Sequence, residues 1–210
     1  ERFWGRMEYP TGRGSLAESL RRGFGWVKAD RNYRAYFLLR VAFRVNYLAL
    51  AFFITFGRRE LHYDGPGGVV LLAGIMVGVM KASRMITSVL WGRLADRRGY
   101  RSSLVGAGVL FALAPAMALA APRLPAGFQL PVPGTGGVID LPVLTYLAAL
   151  AALGAAFQGS IIGGNRFLIA SAPPHRRISY VGFMNTVTSP LTLLPLAGAF
   201  LAEVTSMGVL

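Results

Sequence analysis

A set of cationic and polar side chains falls inside apolar stretches that are about 20 residues long, the length of a membrane-spanning helix. The set consists of Arg44, Asn46, Tyr47, Lys81, Gln158 and Asn165. Because a charge in hydrocarbon needs water or a partner, these residues predict a ligand cavity, and we expect Arg44, Tyr47 and Gln158 to share one water-accessible volume. Arg40 and Arg166 lie nearer the ends of their stretches, where we expect long side chains to act as interfacial anchors.

The acidic, thiol and imidazole groups of most catalytic sites are missing from these stretches. They contain no Asp or Glu, the chain has no cysteine, and its two histidines, His62 and His175, lie far apart in the sequence. A metal centre or a nucleophile with its base needs such groups close together. We therefore expect no metal, no cofactor and no enzyme activity, and no membrane-embedded acid for proton coupling. The unbalanced cations favour an anionic ligand, or else partners across an interface.

The elements that must position these groups are predicted to be membrane helices. Of 210 residues, 54% are hydrophobic and only 15% are charged, and the mean hydropathy is +0.49; a soluble domain carries about 25% charged residues. The apolar blocks predict an all-α integral membrane protein with five transmembrane helices. Their predicted spans are 35–57, 67–91, 104–121, 141–170 and 180–201.

The distribution of basic residues predicts the orientation of these helices. The net charge of +13 would suggest a nucleic-acid partner in a soluble protein. Here most basic residues lie in 1–34, 92–101 and 171–179, which alternate with the loops that hold few of them and so fall on one side of the membrane. By the positive-inside rule these three segments are cytoplasmic, and 202–210 forms an outer, truncated tail. We expect no nucleic-acid partner.

The predicted cytoplasmic segment 1–34 contains one short amphipathic helix. Ser15 and Glu18 have the spacing of a capping box, and an apolar stripe follows at helical spacing through Phe24 and Val27. This pattern predicts a basic amphipathic helix on the inner leaflet. On the other side of the membrane, the prolines and glycines of 122–140 predict an irregular connection.

A short basic loop is predicted after the second span. Its pattern G-x-x-x-D-R-x-G-x-R is formed by Gly92, Asp96, Arg97, Gly99 and Arg101. The two glycines would permit a tight reversal. The single carboxylate is expected to pair with an arginine of the same loop or to face a helix N-terminus. An ordinary positive-inside turn explains the charges equally well.

This pattern resembles the loop signature of the major facilitator superfamily, which joins the second and third helices of each six-helix half. The usual further basic residue is Ser102 here. The P-P-H-R-R sequence at 173–177 resembles the connection between helices ten and eleven in bacterial drug- and sugar-efflux-like members. The resemblance implies the C-terminal half of such a transporter, helices seven to eleven, with 1–34 as the interdomain linker. The N-terminal half remains an alternative.

The resemblance also implies a function and partners. It implies part of a secondary active transporter in the bacterial plasma (inner) membrane, moving a small solute by alternating access together with an N-terminal six-helix half. Helices seven and ten would face the substrate cavity, eight and eleven the other half, and nine the lipid. The loop would act as a conformational switch, with Asp96 working across the domain interface. The alternative is a five-helix membrane scaffold or interaction protein without transport activity.

Small residues and prolines predict details of helix packing. The i, i+4 repeats of Gly74 with Gly78 and of Gly159 with Gly163 predict close helix approach. Pro190 and Pro195 are predicted to bend the last span, because proline removes a backbone donor and clashes with the preceding turn.

Overall fold

The computed structural model describes residues 15–60, 68–125, 127, 129–131, 138–198 and 200. Apart from a short hairpin, the described chain is predominantly helical, so the predicted all-α class is confirmed. Its α-helices are α1 (Leu16–Ala29), α2 (Arg31–Glu60), α3 (Gly68–Arg98), α4 (Tyr100–Ala120), α5 (Leu141–Ser171) and α6 (Arg177–Thr188). Three 3₁₀ turns cover Ala121–Arg123, Pro174–Arg176 and Ser189–Leu193.

The described residues of each predicted span are mostly helical. Among the described residues, three segments are long and apolar enough to cross a membrane: Ala73–Arg98, Tyr100–Arg123 and Leu141–Ser171. Helix α2 has the length of a span but carries several arginines, and the fifth region is divided between α6, a 3₁₀ turn and further helix at 194–198. The chain has an all-α membrane fold, while the count of five spans stays a prediction.

Helix α5 is the centre of the bundle and packs along both α3 and α4. Its small residues permit this. A Cβ atom added at Gly154 would lie 2.3 Å from the carbonyl oxygen of Met80, so the backbones of α3 and α5 nearly touch. Gly159 and Gly163 make the predicted close approaches, to Trp91 and to α4. Gly74 and Gly78, in contrast, are exposed and have no described neighbour within 4 Å of such a Cβ.

Helices α2 and α5 lie antiparallel, and aromatic pairs fix their register. The ring centroids of Tyr36 and Phe167 are 4.5 Å apart, and those of Tyr47 and Phe157 are 4.7 Å apart. As the residue number rises on α2 it falls equally on α5, which places Arg44 level with about residue 160. Further along, the Tyr146 hydroxyl donates a hydrogen bond to the carbonyl oxygen of Phe53, inside an aromatic core.

Helix α1 packs on α6. The Ser15 hydroxyl accepts a hydrogen bond from the Glu18 amide at 3.2 Å, as the capping pattern predicts. Trp26 stacks on Tyr180 with 4.6 Å between ring centroids, and Gly23 lies against the Phe183 ring. The apolar stripe of α1 is thus partly covered by protein, since Val27 is buried while Phe24 is 44% exposed, and the placement of α1 on the inner leaflet stays a prediction. The aromatic stacking holds the basic helix against the end of the bundle.

The connection before α5 and the end of α6 complete the fold. The segment predicted to be irregular contains an antiparallel hairpin, in which β1 (Gln129–Pro131) pairs with β2 (Val138–Asp140). Asp140 then caps α5 by accepting a hydrogen bond from the Val143 amide at 3.0 Å. The interruption predicted at Pro190 is present, since α6 ends at Thr188 and gives way to a 3₁₀ turn. The predicted outer tail, 202–210, lies outside the described residues.

Candidate functional site

A partly open cavity of about 70 Å³ lies between α2 and α5. Its lining comes from one face of each helix, because the contributing positions recur every three or four residues. The lining consists of Tyr36, Arg40, Phe43, Arg44, Tyr47, Phe157, Ser160, Ile161 and Asn165. It combines two cations, several aromatic rings and two uncharged polar groups, and it holds no carboxylate.

Of the six residues predicted to form a cavity, Arg44, Tyr47 and Asn165 line this one. Gln158 and Asn46 are half-buried but lie outside the lining, so the expectation that Gln158 shares the volume does not hold for this cavity. The reason is helical geometry, since neighbouring residues are rotated by about 100° around the axis. Lys81 also lies outside, exposed on α3.

Sequence reasoning missed six lining residues: Tyr36, Arg40, Phe43, Phe157, Ser160 and Ile161. Tyr36 and Arg40 could have been found, because they continue the i, i+4 stripe that contains Arg44 and extends to Tyr47. Apart from Asn165, the lining residues of α5 carry no comparable signal, because this helix is apolar on nearly every face.

Arg40 is held by two hydrogen bonds rather than acting as a solvated anchor. Its Nη2 donates to Asn185 Oδ1 at 2.7 Å, and its Nη1 donates to the Tyr36 hydroxyl at 3.2 Å. Asn185 belongs to α6, so Arg40 links α2 to α6 across one edge of the cavity. Its charge is directed to neutral partners and is not cancelled.

Arg44 is positioned differently. Its guanidinium carbon lies 5.3 Å from the centroid of the Tyr47 ring, within the range of a cation–π contact. The structure gives no hydrogen bond or ion pair between Arg44 and another described residue. The sequence also has no Asp or Glu between residues 31 and 59 of α2 or between residues 141 and 200. The two helices that form the cavity therefore give it a net positive charge.

The predicted switch loop is mostly helix. Helix α3 continues through Arg98 and α4 begins at Tyr100, so Gly99 alone forms the reversal, with φ of +80°. A side chain would be strained at this φ, which explains a glycine here. Gly92 and Asp96 instead lie in the last turns of α3, so Gly92 does not help to form the turn. Arg97 is also on α3, while Arg101 is in the first turn of α4.

The carboxylate of Asp96 pairs with a partner on another helix. Arg166 Nη1 donates to Asp96 Oδ1 at 2.5 Å, and the side chains are 42% and 64% exposed for Arg166 and Asp96 respectively. Arg166 is on α5, so the expectation of a partner within the basic loop is corrected. Exposed ion pairs contribute only about 0–1 kcal/mol to stability. The pair therefore aligns the end of α3 with α5 without holding the bundle together.

The buried side chain of Trp91 packs between α3, α4 and α5 near the reversal at Gly99. The Trp91 ring fits against Gly106 of α4 and Gly159 of α5, where an added Cβ would lie 2.8 Å and 2.7 Å from ring atoms. Trp91 Nε1 and Ser103 Oγ are buried without a hydrogen-bond partner in the described structure. Close packing of the Trp91 ring, and not hydrogen bonding by this side chain, thus holds the α3–α4 reversal against α5.

A phenol at the start of α2 connects the cavity end to α6. The Tyr33 hydroxyl donates to the carbonyl oxygen of Tyr180 at 3.0 Å. Burial of this group, which precedes the predicted span, raises the pKa of Tyr33, and the nearby Tyr180 acts in the same direction. The phenol therefore stays protonated and remains a donor.

No group of three or more metal-ligating side chains occurs among the described residues.

Known proteins offer one line of similarity. The chain is 24% identical over 171 residues to the multi-drug resistance efflux pump PmrA of Streptococcus pneumoniae, both in the serotype 4 strain and in strain R6. The match covers 79% of this chain, which spans only 38% of the pump. No protein-family profile matches the chain. No solved structure matches it either.

Proposed function

We propose that this chain is part of a secondary active transporter of the major facilitator type, and that it moves a small solute by alternating access. The observation that carries the proposal is the cavity between α2 and α5, which is polar at mid-helix and lined by Arg44. A cation at this depth is costly unless it serves a water-filled path or a ligand. The likeness to a multidrug efflux pump supports transport as that role.

The placement of the other helices supports assignment to helices seven to eleven of the C-terminal half. In this assignment α2 and α5 are helices seven and ten, the pair that the resemblance implies for the cavity. Helix α4 would be helix nine, and its exposed apolar residues Val105, Val109 and Leu113 suit a surface in lipid. Segment 1–34 would be the interdomain linker.

The N-terminal six-helix half is the proposed partner, and α3 offers a surface for it. Gly74, Gly78 and Ala82 form a small-residue stripe that is exposed in the described structure. Such stripes let membrane helices approach closely. As helix eight, α3 would meet the other half there, with Asp96 near its end acting in the switch between states. The proposed setting is the bacterial inner membrane with the N-terminal segment cytoplasmic, without catalysis, cofactor or nucleic acid.

The test is transport by the full-length protein in proteoliposomes. We expect accumulation of a labelled solute that depends on an imposed ion gradient, and loss of accumulation when the gradient is dissipated. Well-folded protein that transports none of a panel of anionic, neutral and cationic aromatic solutes would favour the alternative, a membrane scaffold. Full-length sequence should also supply about six further spans.

A further inference from the structure

We propose that the cavity between α2 and α5 selects an organic anion, whose carboxylate or sulfonate head binds Arg44 beside the rings of Tyr47 and Phe157. The inference deepens the proposed function, and its transport arm rests on that function. Its binding arm does not, because ligand selectivity can be measured without transport.

The two arginines of the cavity have different roles. Arg40 donates hydrogen bonds to Asn185 and to Tyr36, so it acts as a positioning residue for α2 and α6. Arg44 lies over the Tyr47 ring, and a ring face cannot satisfy the in-plane N–H donors of a guanidinium. These donors match the two oxygens of a carboxylate or sulfonate, which a guanidinium binds through paired hydrogen bonds.

The charge of the lining excludes the opposite ligand class. A cationic solute would meet Arg40 and Arg44 with no carboxylate in the lining to offset them. In a site of low dielectric such like-charge contacts are strongly unfavourable. An anion instead neutralises the charge of Arg44, which no Asp or Glu within residues 31–59 or 141–200 offsets.

The shape of the cavity indicates how the anion lies. A volume of about 70 Å³ suits a charged head group and part of a ring, not a whole drug-sized molecule. The Tyr47 and Phe157 rings, whose centroids are 4.7 Å apart, form an apolar wall of the cavity beside Arg44. The body of the ligand would extend through the open side. Asn165, which is about level with Arg40 in the register of the two helices, adds an amide donor at that end of the cavity.

The binding test compares three probes that share one ring system: 1-naphthoate, its neutral methyl ester and 1-naphthylmethylammonium. Affinities for the full-length protein in nanodiscs are measured by calorimetry. We expect naphthoate to bind at least about tenfold more tightly than either other probe, because hydrogen bonds to charged groups are the strong ones. Equal binding of the anion and the cation would overturn the proposal.

Variants locate the effect. Arg44→Gln should weaken naphthoate binding at least about tenfold and leave the methyl ester unaffected, while Arg44→Lys should retain part of the preference. Arg98→Gln, which removes the same charge from the exposed end of α3, is the matched control. Unchanged naphthoate affinity in Arg44→Gln, with a monodisperse profile and an unaltered melting temperature, would refute the assignment.

The transport arm separates the two proposals. Gradient-driven transport of the cationic probe but not of the anion would preserve the proposed function and overturn the inference. Arg44-dependent anion binding without transport of any probe would preserve the inference as a binding site and overturn the proposed function.

Discussion

Asp96 at the end of α3 and Arg166 on α5 form an ion pair with 2.5 Å between Oδ1 and Nη1, although 70 positions separate them in the chain. The pair sits beside the single-residue reversal at Gly99, so it links that turn to the central helix of the bundle. Both side chains are substantially exposed, and the pair is correspondingly weak. A weak contact at a turn suits a linkage that forms and breaks between two conformations.

We predict that Asp96→Asn lowers transport by the full-length protein while changing its stability by less than about 1 kcal/mol. The substitution removes the charge that attracts Arg166 but keeps the size of the side chain. Transport in vesicles at matched expression and thermal unfolding in detergent measure the two effects.

The matched control for this prediction is Arg93→Gln. It removes an exposed positive charge from α3 less than two helical turns before Gly99 and leaves both residues of the ion pair in place. The control should transport normally. The charge reversal that combines Asp96→Arg with Arg166→Asp should recover part of the lost activity. Wild-type uptake by Asp96→Asn would reduce the pair to a surface contact without a role in the switch.

A second prediction concerns the close approach of α3 and α5. Gly154→Ala should destabilise the bundle by roughly 1–3 kcal/mol, because the added methyl group would lie 2.3 Å from a backbone carbonyl oxygen that cannot rotate away. Thermal unfolding measures the loss. Gly182→Ala on α6 should be neutral or slightly stabilising, because no described atom outside the local helix lies within 4 Å of the added Cβ. Equal melting temperatures for the two variants would contradict this close packing of α3 on α5.

The helices themselves were predictable from the sequence, because a membrane span is recognised by one long apolar run. The residues at which the helices end were harder to predict. Residues 92–98 include three arginines and an aspartate, which favoured a loop, yet most of them are Arg, Leu or Ala, which are good helix formers, and α3 continues to Arg98. Only at Gly99, where φ is positive, does the helix stop. The edge of an apolar run marks the membrane boundary and not the helix boundary.

Three polar residues of the candidate site, Arg44 and Tyr47 on α2 and Asn165 on α5, were predictable, and its apolar residues were not. Arg44 and Tyr47 stand out because a polar residue in an apolar helix carries information. Phe157 lies among apolar neighbours, and only the antiparallel register with α2 shows that it faces Tyr47. The Asp96–Arg166 pair was missed for a related reason, since no local pattern reports which helices become neighbours.

A third prediction tests how α1 is held. Phe183→Ala should release α1 from the bundle, because this ring covers Gly23 and makes edge contacts with Phe24 and Trp26. Trypsin should then cut faster after the basic residues of α1. Ile178→Ala removes an exposed side chain from the same helix and should leave the cleavage rate unchanged. Equal protection in both variants would mean that other contacts hold α1.

The last prediction concerns orientation in the membrane, which the basic segments imply. These 210 residues contain no cysteine, so they add no label of their own to that of an introduced thiol. Gly127→Cys, in the exposed connection before α5, should react with a membrane-impermeant maleimide added to intact cells, whereas Ser102→Cys should not.

A control is needed for Ser102, because this residue is half-buried and donates to the Gly99 carbonyl oxygen at 2.7 Å. A lack of labelling at Ser102→Cys does not by itself separate orientation from poor access. Arg98→Cys is fully suited as the control, because it is exposed on the same side of the bundle. It should label in opened cells and stay unlabelled in intact ones. Labelling of Arg98→Cys but not Gly127→Cys from outside would invert the orientation and move the basic α1 to the outer face.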